Sequence, residues 1–137
     1  MRTVIYNLLA HPASLSKLHE EFITAVHQDH LSQPYPTWNE LRELPYLDAC
    51  VNEAVRLHPP FCLPLEREVP EGGVTICGRY FAAGTVVGMN PYVVNRHRPT
   101  FGEDVDSWRP ERWLGLDEEQ RRKLEQSIMT VSCYCCY

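Results

Sequence analysis

The chain has 137 residues, 44% of them hydrophobic, and a formal net charge of -5 at pH 7. This length allows one domain with a buried core, and the basic residues form no run dense enough to predict a nucleic-acid partner. No apolar stretch approaches the roughly 20 residues of a membrane-spanning helix, and the first residues show no secretory cleavage pattern. We therefore expect no transmembrane segment, anchor or export signal in this chain, which would be cytosolic if made by itself.

The first half of the chain is predicted to be helical. Residues 1–10 are apolar at helical intervals and begin without a capping residue, as if a helix were entered partway. After Pro12 the apolar residues recur every three or four positions, which indicates an amphipathic helix of roughly three or four turns. The turn-rich segment SQPYPTWNE leads to another helix at about Pro45 to His58, which the following prolines end because proline has no amide donor. The apolar stripe of that helix is Leu47, Cys50, Val51, Ala54 and Leu57.

The second half changes its periodicity. Between Phe61 and Met89 the segments VTI, RYF and TVVGM alternate with glycine-containing turns, which predicts short antiparallel strand pairs. A short helix or turn is predicted around PYVVNRHRP, followed by an irregular stretch. Asp117, with Gln120 at the reciprocal position of a capping box, predicts the start of a last, charged helix. The fold class predicted is mainly α with small antiparallel β-sheets, an α+β arrangement.

The six cysteines form a scattered group and a crowded group. Without an export signal, both groups are expected to be free thiols in a reducing compartment. The crowded group has the spacing C-x-C-C, which lacks the paired C-x-x-C of a structural zinc site, so no metal is predicted there. The scattered cysteines are expected to be small core residues. The scattered group is Cys50, Cys62 and Cys77, and the crowded group is Cys133, Cys135 and Cys136.

A charged pair lies inside the helix that begins near Pro45. Glu53 and Arg56, in the segment NEAVR, are three positions apart, so their side chains are neighbours on the helix surface. Such a pair is usually a solvated ion pair worth less than ~1 kcal/mol. Its position away from the centre of the apolar stripe agrees with that interpretation. The pair by itself does not identify a functional site.

The order of several segments is more informative than the pair. The helix with Glu53-Ala54-Val55-Arg56 is followed by LPLEREVPEGG, by the predicted strands, and then by NRHRPTFGEDVDSWRPERW. This series resembles the carboxy-terminal part of the cytochrome P450 family of heme-thiolate monooxygenases, most closely the eukaryotic microsomal type in a fungal form. Residues 53–56 match its E-x-x-R motif and residues 110–113 its P-E-R-F/W motif. The resemblance extends over residues 1–130 as a partial domain and leaves 131–137 as a tail outside the family pattern. The connecting segment of the family is matched by Arg98, Pro99, Phe101, Gly102, Asp104 and Trp108.

The resemblance implies roles for particular residues, none of them catalytic. Glu53, Arg56 and Arg112 would form a structural triad that supports heme incorporation, since the planar fork of arginine can serve a carboxylate and backbone carbonyls together. Arg67 would contact a heme propionate, and its alternative interpretation is a plain surface arginine. One further segment would cross over the heme and line an apolar substrate pocket, or else be a buried loop without ligand contact. That segment is Phe61, Cys62, Leu63, Pro64 and Leu65.

Two parts of the family pattern have no match in the sequence. The oxygen-activating segment A/G-G-x-D/E-T-T would precede residues 1–10. The loop F-x-x-G-x-R-x-C-x-G, whose thiolate binds the heme iron, would follow Met129-Thr130, where the chain has VSCYCCY. An axial thiolate needs a preorganised turn with amide donors, so the terminal cysteines are not expected to replace it. Because Val-Ser is what a common intron start encodes in frame, we interpret residues 131–137 as translated intron or a misplaced exon end.

The resemblance implies a function for an intact parent protein. Such a parent would bind heme and hydroxylate an apolar small molecule with O2 and electrons from a reductase, at the endoplasmic reticulum membrane. The chain by itself is expected to be inactive, because it lacks the axial cysteine. The alternatives are a non-enzymatic truncated or pseudogene product and an independent α+β interaction module. The second alternative would leave apolar faces, which the family packs on other segments, in contact with water.

Overall fold

The computed structural model describes residues 2–129 and shows helices with two small two-stranded antiparallel sheets. The predicted fold class, mainly α with small antiparallel sheets, is confirmed. The elements along the chain are α1 (Arg2–Ala10), α2 (Pro12–His27), α3 (Trp38–Arg42), α4 (Pro45–Leu57), β1 (Leu65–Glu68), β2 (Val74–Ile76), β3 (Arg79–Phe81), β4 (Val86–Met89), α5 (Pro91–Val94), α6 (Arg98–Phe101), a 3-10 helix (Pro110–Trp113) and α7 (Glu118–Ser127).

Capping boxes define the starts of two helices. The one predicted at Asp117 and Gln120 is present at the start of α7 and is confirmed. A second capping box, formed by Thr37 and Glu40, starts the short helix α3 within the segment predicted to be turn-rich. The pattern Thr-Trp-Asn-Glu carries the same S/T-x-x-E signature, so the sequence did contain the signal for α3.

Each sheet is a single antiparallel pair. Strand β2 pairs with β3, with Val74 opposite Phe81, and the turn between them has positive φ at both Cys77 and Gly78, as a type I′ hairpin requires. Strand β1 pairs with β4, with Leu65 opposite Met89. The sequence prediction missed β1 because Leu-Glu-Arg-Glu has none of the apolar alternation that marks a half-buried strand.

Helix α4 lies at the centre of the packing. Its residues Tyr46 and Cys50 join Leu8 of α1 and Leu18 of α2 in one apolar cluster. On another side, Ala49 packs with a second apolar cluster that is formed by the later part of the chain. Helix α4 therefore contacts both the first two helices and the largely irregular segment that follows the sheets, residues 95–109. This irregular segment also contacts α2 directly, since Nε1 of Trp108 donates to Oγ of Ser14 at 3.2 Å. The residues packed with Ala49 are Phe101, Val105 and Trp113.

The three scattered cysteines differ in their environments. Cys50 is fully buried, and this burial raises the pKa of its thiol to about 12, so it is a protonated core residue as predicted. The same prediction is wrong for Cys62 and Cys77, which are exposed. Cys77 lies in the hairpin turn and Cys62 in the loop between α4 and β1, and neither position faces the core.

The start of α4 is capped from another helix. Leu44, the residue before the helix, has no side chain that can accept a hydrogen bond, and Pro45 removes one amide donor. Glu21 of α2 takes the place of a local cap, since its two carboxylate oxygens accept from the N–H groups of Tyr46 at 2.6 Å and Leu47 at 2.9 Å. A carboxylate at this end also interacts favourably with the helix dipole.

Within residues 2–129, no helix combines the length and the apolar character that crossing a bilayer demands.

Replacing Glu21 by Ala is expected to lower the free energy of unfolding by about 1–3 kcal/mol, because two amide donors at the start of α4 lose a charged acceptor. Urea denaturation of the folded chain measures this change. Glu20→Ala, at the exposed neighbouring position of the same helix, is the matched control and should change the unfolding free energy by less than about 0.5 kcal/mol. Equal effects of the two substitutions would contradict the capping role of Glu21.

The capping box of α3 should respond to pH through Glu40. The hydroxyl of Ser32, followed by the N–H groups of Thr37 and Ser32, donates to this carboxylate and lowers its pKa from 4.5 to about 2. Because the folded-state pKa is depressed, the stabilisation is present above pH 4.5 and is lost as the pH falls toward about 2. An NMR titration should give a midpoint for Glu40 near the lower value, and a midpoint near 4.5 would contradict the capping geometry. In Glu40→Gln, this dependence of α3 on pH should be absent.

Candidate functional site

The candidate site is centred on a carboxylate that is entirely removed from solvent. Glu53 and Arg56, on adjacent turns of α4, both have side chains that are 0% exposed. Arg56 donates from Nε to one Glu53 oxygen and from Nη2 to the other, each at 2.8 Å. This is the bidentate geometry in which the guanidinium fork matches a carboxylate. The interpretation of the pair as a solvated ion pair is therefore wrong.

The remaining donors of Arg56 bind backbone carbonyls of the irregular segment. Its Nη1 donates to the carbonyl oxygens of Asn95 at 3.1 Å and Val105 at 2.7 Å, and its Nη2 also donates to that of Ser107 at 3.4 Å. The guanidinium has five N–H groups, and these contacts together with Glu53 use them all. Arg56 therefore joins α4 to a segment that has little regular secondary structure of its own.

A second arginine reaches the same carboxylate from the 3-10 helix. Nε of Arg112 lies 3.5 Å from Oε1 of Glu53, and its side chain is 5% exposed. Its Nη1 donates to the carbonyl of Phe101 and, at 3.0 Å, to the carboxylate of Asp104, while Nη2 donates to the Asp104 carbonyl at 3.2 Å. The hydrogen bond from Arg112 holds the pKa of Asp104 below its usual range. The structure thus brings Glu53, Arg56 and Arg112 together and adds Asp104 as a second acidic partner.

Two further donors complete the surroundings of Glu53. The indole Nε1 of Trp113 donates to Oε2 at 3.0 Å, and the backbone N–H of Arg109 donates to Oε1 at 3.2 Å. We name Glu53, Arg56, Asp104, Arg112 and Trp113 the buried charge cluster. Sequence reasoning missed the parts played by Asp104 and Trp113. A tryptophan next to Arg112 was a usable signal, because a buried indole N–H usually needs an acceptor.

The arginines of the connecting segment differ from the expected match. Arg98 is exposed and pairs with Glu103 at 3.4 Å. Arg96, which the motif comparison did not select, is the arginine that packs against α4. Its Nη2 donates to the carbonyl of Leu57 at the end of that helix at 2.8 Å, and its guanidinium lies 3.7 Å from the ring centroid of Tyr92. Arg96 therefore satisfies one of the carbonyls that a helix end leaves without an intrahelical partner.

The other predicted site residues lie apart from the buried charge cluster. Arg67 is an exposed residue of β1, and its Nη1 donates to the carbonyl of Glu66 at 2.7 Å. Phe61 and Leu63 expose 52% and 73% of their surface. Cys62 and Pro64 are also exposed, and Leu65 is half-buried. The predicted pocket segment is thus an apolar surface of the described residues.

The described residues fit one contact to heme but not the bond to its iron. Arg67 is exposed, with further N–H donors that could meet a propionate. The thiol of Cys50, with its pKa raised to about 12, is not available as a thiolate. The exposed Cys62 contacts the carbonyl of Pro59 at 3.7 Å, and Cys77 lies in the hairpin turn. In the part of the chain that the structure covers, no group of three or more His, Cys, Asp or Glu could hold a metal ion. The cysteines at 133, 135 and 136, and the whole tail 131–137, lie outside the described residues.

Comparison with known proteins shows the family of the chain. The sequence model of the cytochrome P450 family matches residues 1–129, the range that contains the buried charge cluster. The chain belongs to the cytochrome P450 family. It is 58% identical to a cytochrome P450 monooxygenase of Aspergillus flavus and 59% identical to one of Annulohypoxylon moriforme. It is 57% identical to the cytochrome P450 monooxygenase mpaDE of Penicillium roqueforti.

The chain corresponds to only part of each relative. The three matches cover 95% of this chain, but 25% of the Aspergillus flavus protein, 24% of the Annulohypoxylon moriforme protein and 15% of the Penicillium roqueforti protein. The described residues are therefore comparable to a quarter or less of the length of these cytochrome P450 monooxygenases.

The buried charge cluster should be sensitive to loss of the Glu53 charge. In Glu53→Gln, Arg112 would keep Asp104 as an anionic partner, but the buried Arg56 would lose the carboxylate it is paired with, and the expected cost is about 3–5 kcal/mol of unfolding free energy. The matched control is Glu103→Gln, which removes a carboxylate from the exposed pair with Arg98 and should cost less than about 1 kcal/mol. Urea denaturation compares the two variants, and a difference smaller than about 1 kcal/mol would contradict a tightly coupled buried cluster.

Proposed function

We propose that residues 1–129 are part of a heme-dependent monooxygenase, in which the buried charge cluster supports heme incorporation and takes no part in the chemistry. The observation that carries this proposal is the position of the cluster: the E-x-x-R residues of α4 and the P-E-R-W residues of the 3-10 helix meet at one buried carboxylate. Two of the five N–H donors of Arg56 bind Glu53 in the same helix, and the other three bind carbonyls of the irregular segment, so all five are used. A group so fully bonded suits a rigid support better than proton transfer.

Heme would be held partly by residues of this chain. When bound, heme in this family supplies the activation of oxygen. Arg67 would donate to a propionate, a charge-assisted contact that its exposed guanidinium can make. The segment from Phe61 to Leu65 would line the substrate pocket, and its exposed apolar side chains favour an apolar small molecule as the substrate.

The intact parent would need more than these residues. Helix α1 exposes Ile5 by 56% and Leu9 by 68%, and apolar side chains at this density suit a face that other parts of a larger protein cover. We propose that the parent receives electrons from a reductase and works at the endoplasmic reticulum membrane, as implied for the microsomal type. The relatives from Aspergillus, Annulohypoxylon and Penicillium favour a fungal source.

For the 137-residue chain tested by itself, we propose no monooxygenase activity. Of its described cysteines, Cys50 is a buried protonated thiol, Cys62 lies in the loop between α4 and β1, and Cys77 lies in the hairpin turn. The segment CYCCY at 133–137 contains no glycine and does not match the heme-binding loop of the family. Addition of heme to this chain should therefore give no ferrous-carbonyl spectrum of a thiolate-bound heme, and the appearance of that spectrum would contradict the proposal.

The heme contact proposed for Arg67 can be tested in a full-length protein that contains residues 1–129. Arg67→Leu should increase the rate of heme loss to apomyoglobin by roughly tenfold or more, because a charge-assisted hydrogen bond contributes about 1.5–3 kcal/mol. Arg79→Leu, at an exposed arginine of the other sheet, is the matched control and should leave the rate unchanged. Equal rates of heme loss in the two variants would contradict a contact between Arg67 and heme. A wild-type protein that takes up no heme at all would overturn the proposed function itself.

A further inference from the structure

Asn95 has an unusual position for a polar residue. It is 0% exposed, follows directly after α5, and belongs to neither motif of the buried charge cluster. A buried amide is costly unless its donor and its acceptor are both hydrogen-bonded. Both are satisfied by one residue: Oδ1 of Asn95 accepts from the backbone N–H of Met129 at 2.8 Å, and Nδ2 donates to the carbonyl of Met129 at 3.5 Å.

This double contact fixes more than the distance between two residues. One side chain that binds both the N–H and the C=O of Met129 constrains the rotation on each side of its Cα, as a neighbouring strand does in a ladder. Met129 lies two residues after the end of α7, so no helical hydrogen bond sets its conformation. The preceding residue, Ile128, packs against the second apolar cluster, which keeps the chain close to it but does not fix the orientation of the backbone. The two hydrogen bonds from Asn95 fix the orientation of the backbone at Met129.

The backbone of Asn95 is itself held by the buried charge cluster. Its carbonyl accepts from Nη1 of Arg56 at 3.1 Å, and Arg56 is locked to Glu53 by two hydrogen bonds of 2.8 Å. A continuous series of hydrogen bonds therefore runs from Glu53 through Arg56 and Asn95 to Met129. Every member before Met129 is fully buried, so the series is rigid and shielded from competition with water.

We propose that Asn95 is a positioning residue, which transmits the rigid geometry of the buried charge cluster to Met129 and so sets the direction of the segment that holds the heme. This inference rests on the proposed function and on the position that the resemblance implies for the heme-binding loop of the parent, directly after Met129-Thr130. It extends that function by assigning to one side-chain amide, outside both motifs, the connection between the cluster and the heme segment.

The test uses a full-length protein that contains residues 1–129 and compares Asn95→Leu with the wild type. Leucine has a similar size and removes both hydrogen bonds. Amide hydrogen exchange at Met129 should be slow in the wild type and about tenfold faster in the variant, since a buried hydrogen bond accounts for up to about that factor. The ferrous-carbonyl spectrum should also lose the thiolate-bound form in part, while the amides of α4 keep their protection.

The matched control is Asn52→Leu, which removes an amide whose hydrogen bond stays within α4, to Asp48 at 3.1 Å. It should leave both the Met129 exchange rate and the heme spectrum unchanged. If Asn95→Leu does not fold, Asn95→Ala removes the same two hydrogen bonds without a branched side chain. The wild-type exchange rate of Met129 is informative without any variant.

Three results would overturn the inference. One is a wild-type Met129 amide that exchanges as fast as an unstructured peptide. Another is faster Met129 exchange with an unaltered thiolate-bound spectrum, which would separate Asn95 from the heme segment. The third is equal exchange rates in Asn95→Leu and Asn52→Leu. A wild-type protein without heme would overturn the proposed function, and with it the role of Asn95 toward heme, while the exchange rates would still decide whether Asn95 holds Met129.

Discussion

The organisation of this domain depends on one carboxylate without contact to water. Glu53 is 0% exposed, and an ionised group in such a place is tolerated only when charges of opposite sign and hydrogen-bond donors surround it. Arg56 comes from the same helix, but Arg112, Trp113 and the N–H of Arg109 come from residues 56 to 60 positions further along the chain. The irregular segment must therefore fold back over α4 in one particular way for Glu53 to be accommodated. The same requirement selects a single packing of the 3-10 helix against α4.

The charges of the cluster balance each other. Two guanidiniums, of Arg56 and Arg112, are met by two carboxylates, of Glu53 and Asp104. Asp104 is the more exposed of the two acids, with 35% of its side chain accessible. Its carboxylate pairs with the buried guanidinium of Arg112 from the side nearer to the surface. The ring of Phe101 lies 5.5 Å from the Arg56 guanidinium and closes the cluster from another direction. A neutral group of this kind can be buried, whereas any three of its charged members would leave a net charge inside the protein.

The helices and one strand pair were accessible to sequence reasoning because their signals are local. Apolar periodicity and capping patterns identified α2, α4 and α7, and the glycine-containing turn identified the hairpin of β2 and β3. Local signals failed where distant residues decide the outcome. On α4, Val51 was assigned to the apolar stripe but is 41% exposed, while Glu53 and Arg56 are fully buried. The polar face of α4 is buried only because residues much later in the chain form hydrogen bonds with Glu53 and Arg56. Neither the periodicity nor the spacing of residues within α4 indicates these distant partners.

The resemblance to a family indicated that Glu53, Arg56 and Arg112 lie in contact. The structure adds a physical reason why charged side chains, and not apolar ones, occupy this buried position. A buried ion pair can often be replaced by apolar residues without loss of stability, so its presence here needs a physical reason. That reason lies in the irregular segment, whose backbone carbonyls have few partners in helices or sheets and would be stranded if buried among apolar side chains. The two guanidiniums bind five of these carbonyls, and an aliphatic cluster of equal volume could bind none. The arginines therefore provide hydrogen bonds to buried backbone carbonyls that regular secondary structure would otherwise provide. Glu53 balances the positive charge that the arginines bring into the interior. The five carbonyls are those of Asn95, Phe101, Asp104, Val105 and Ser107.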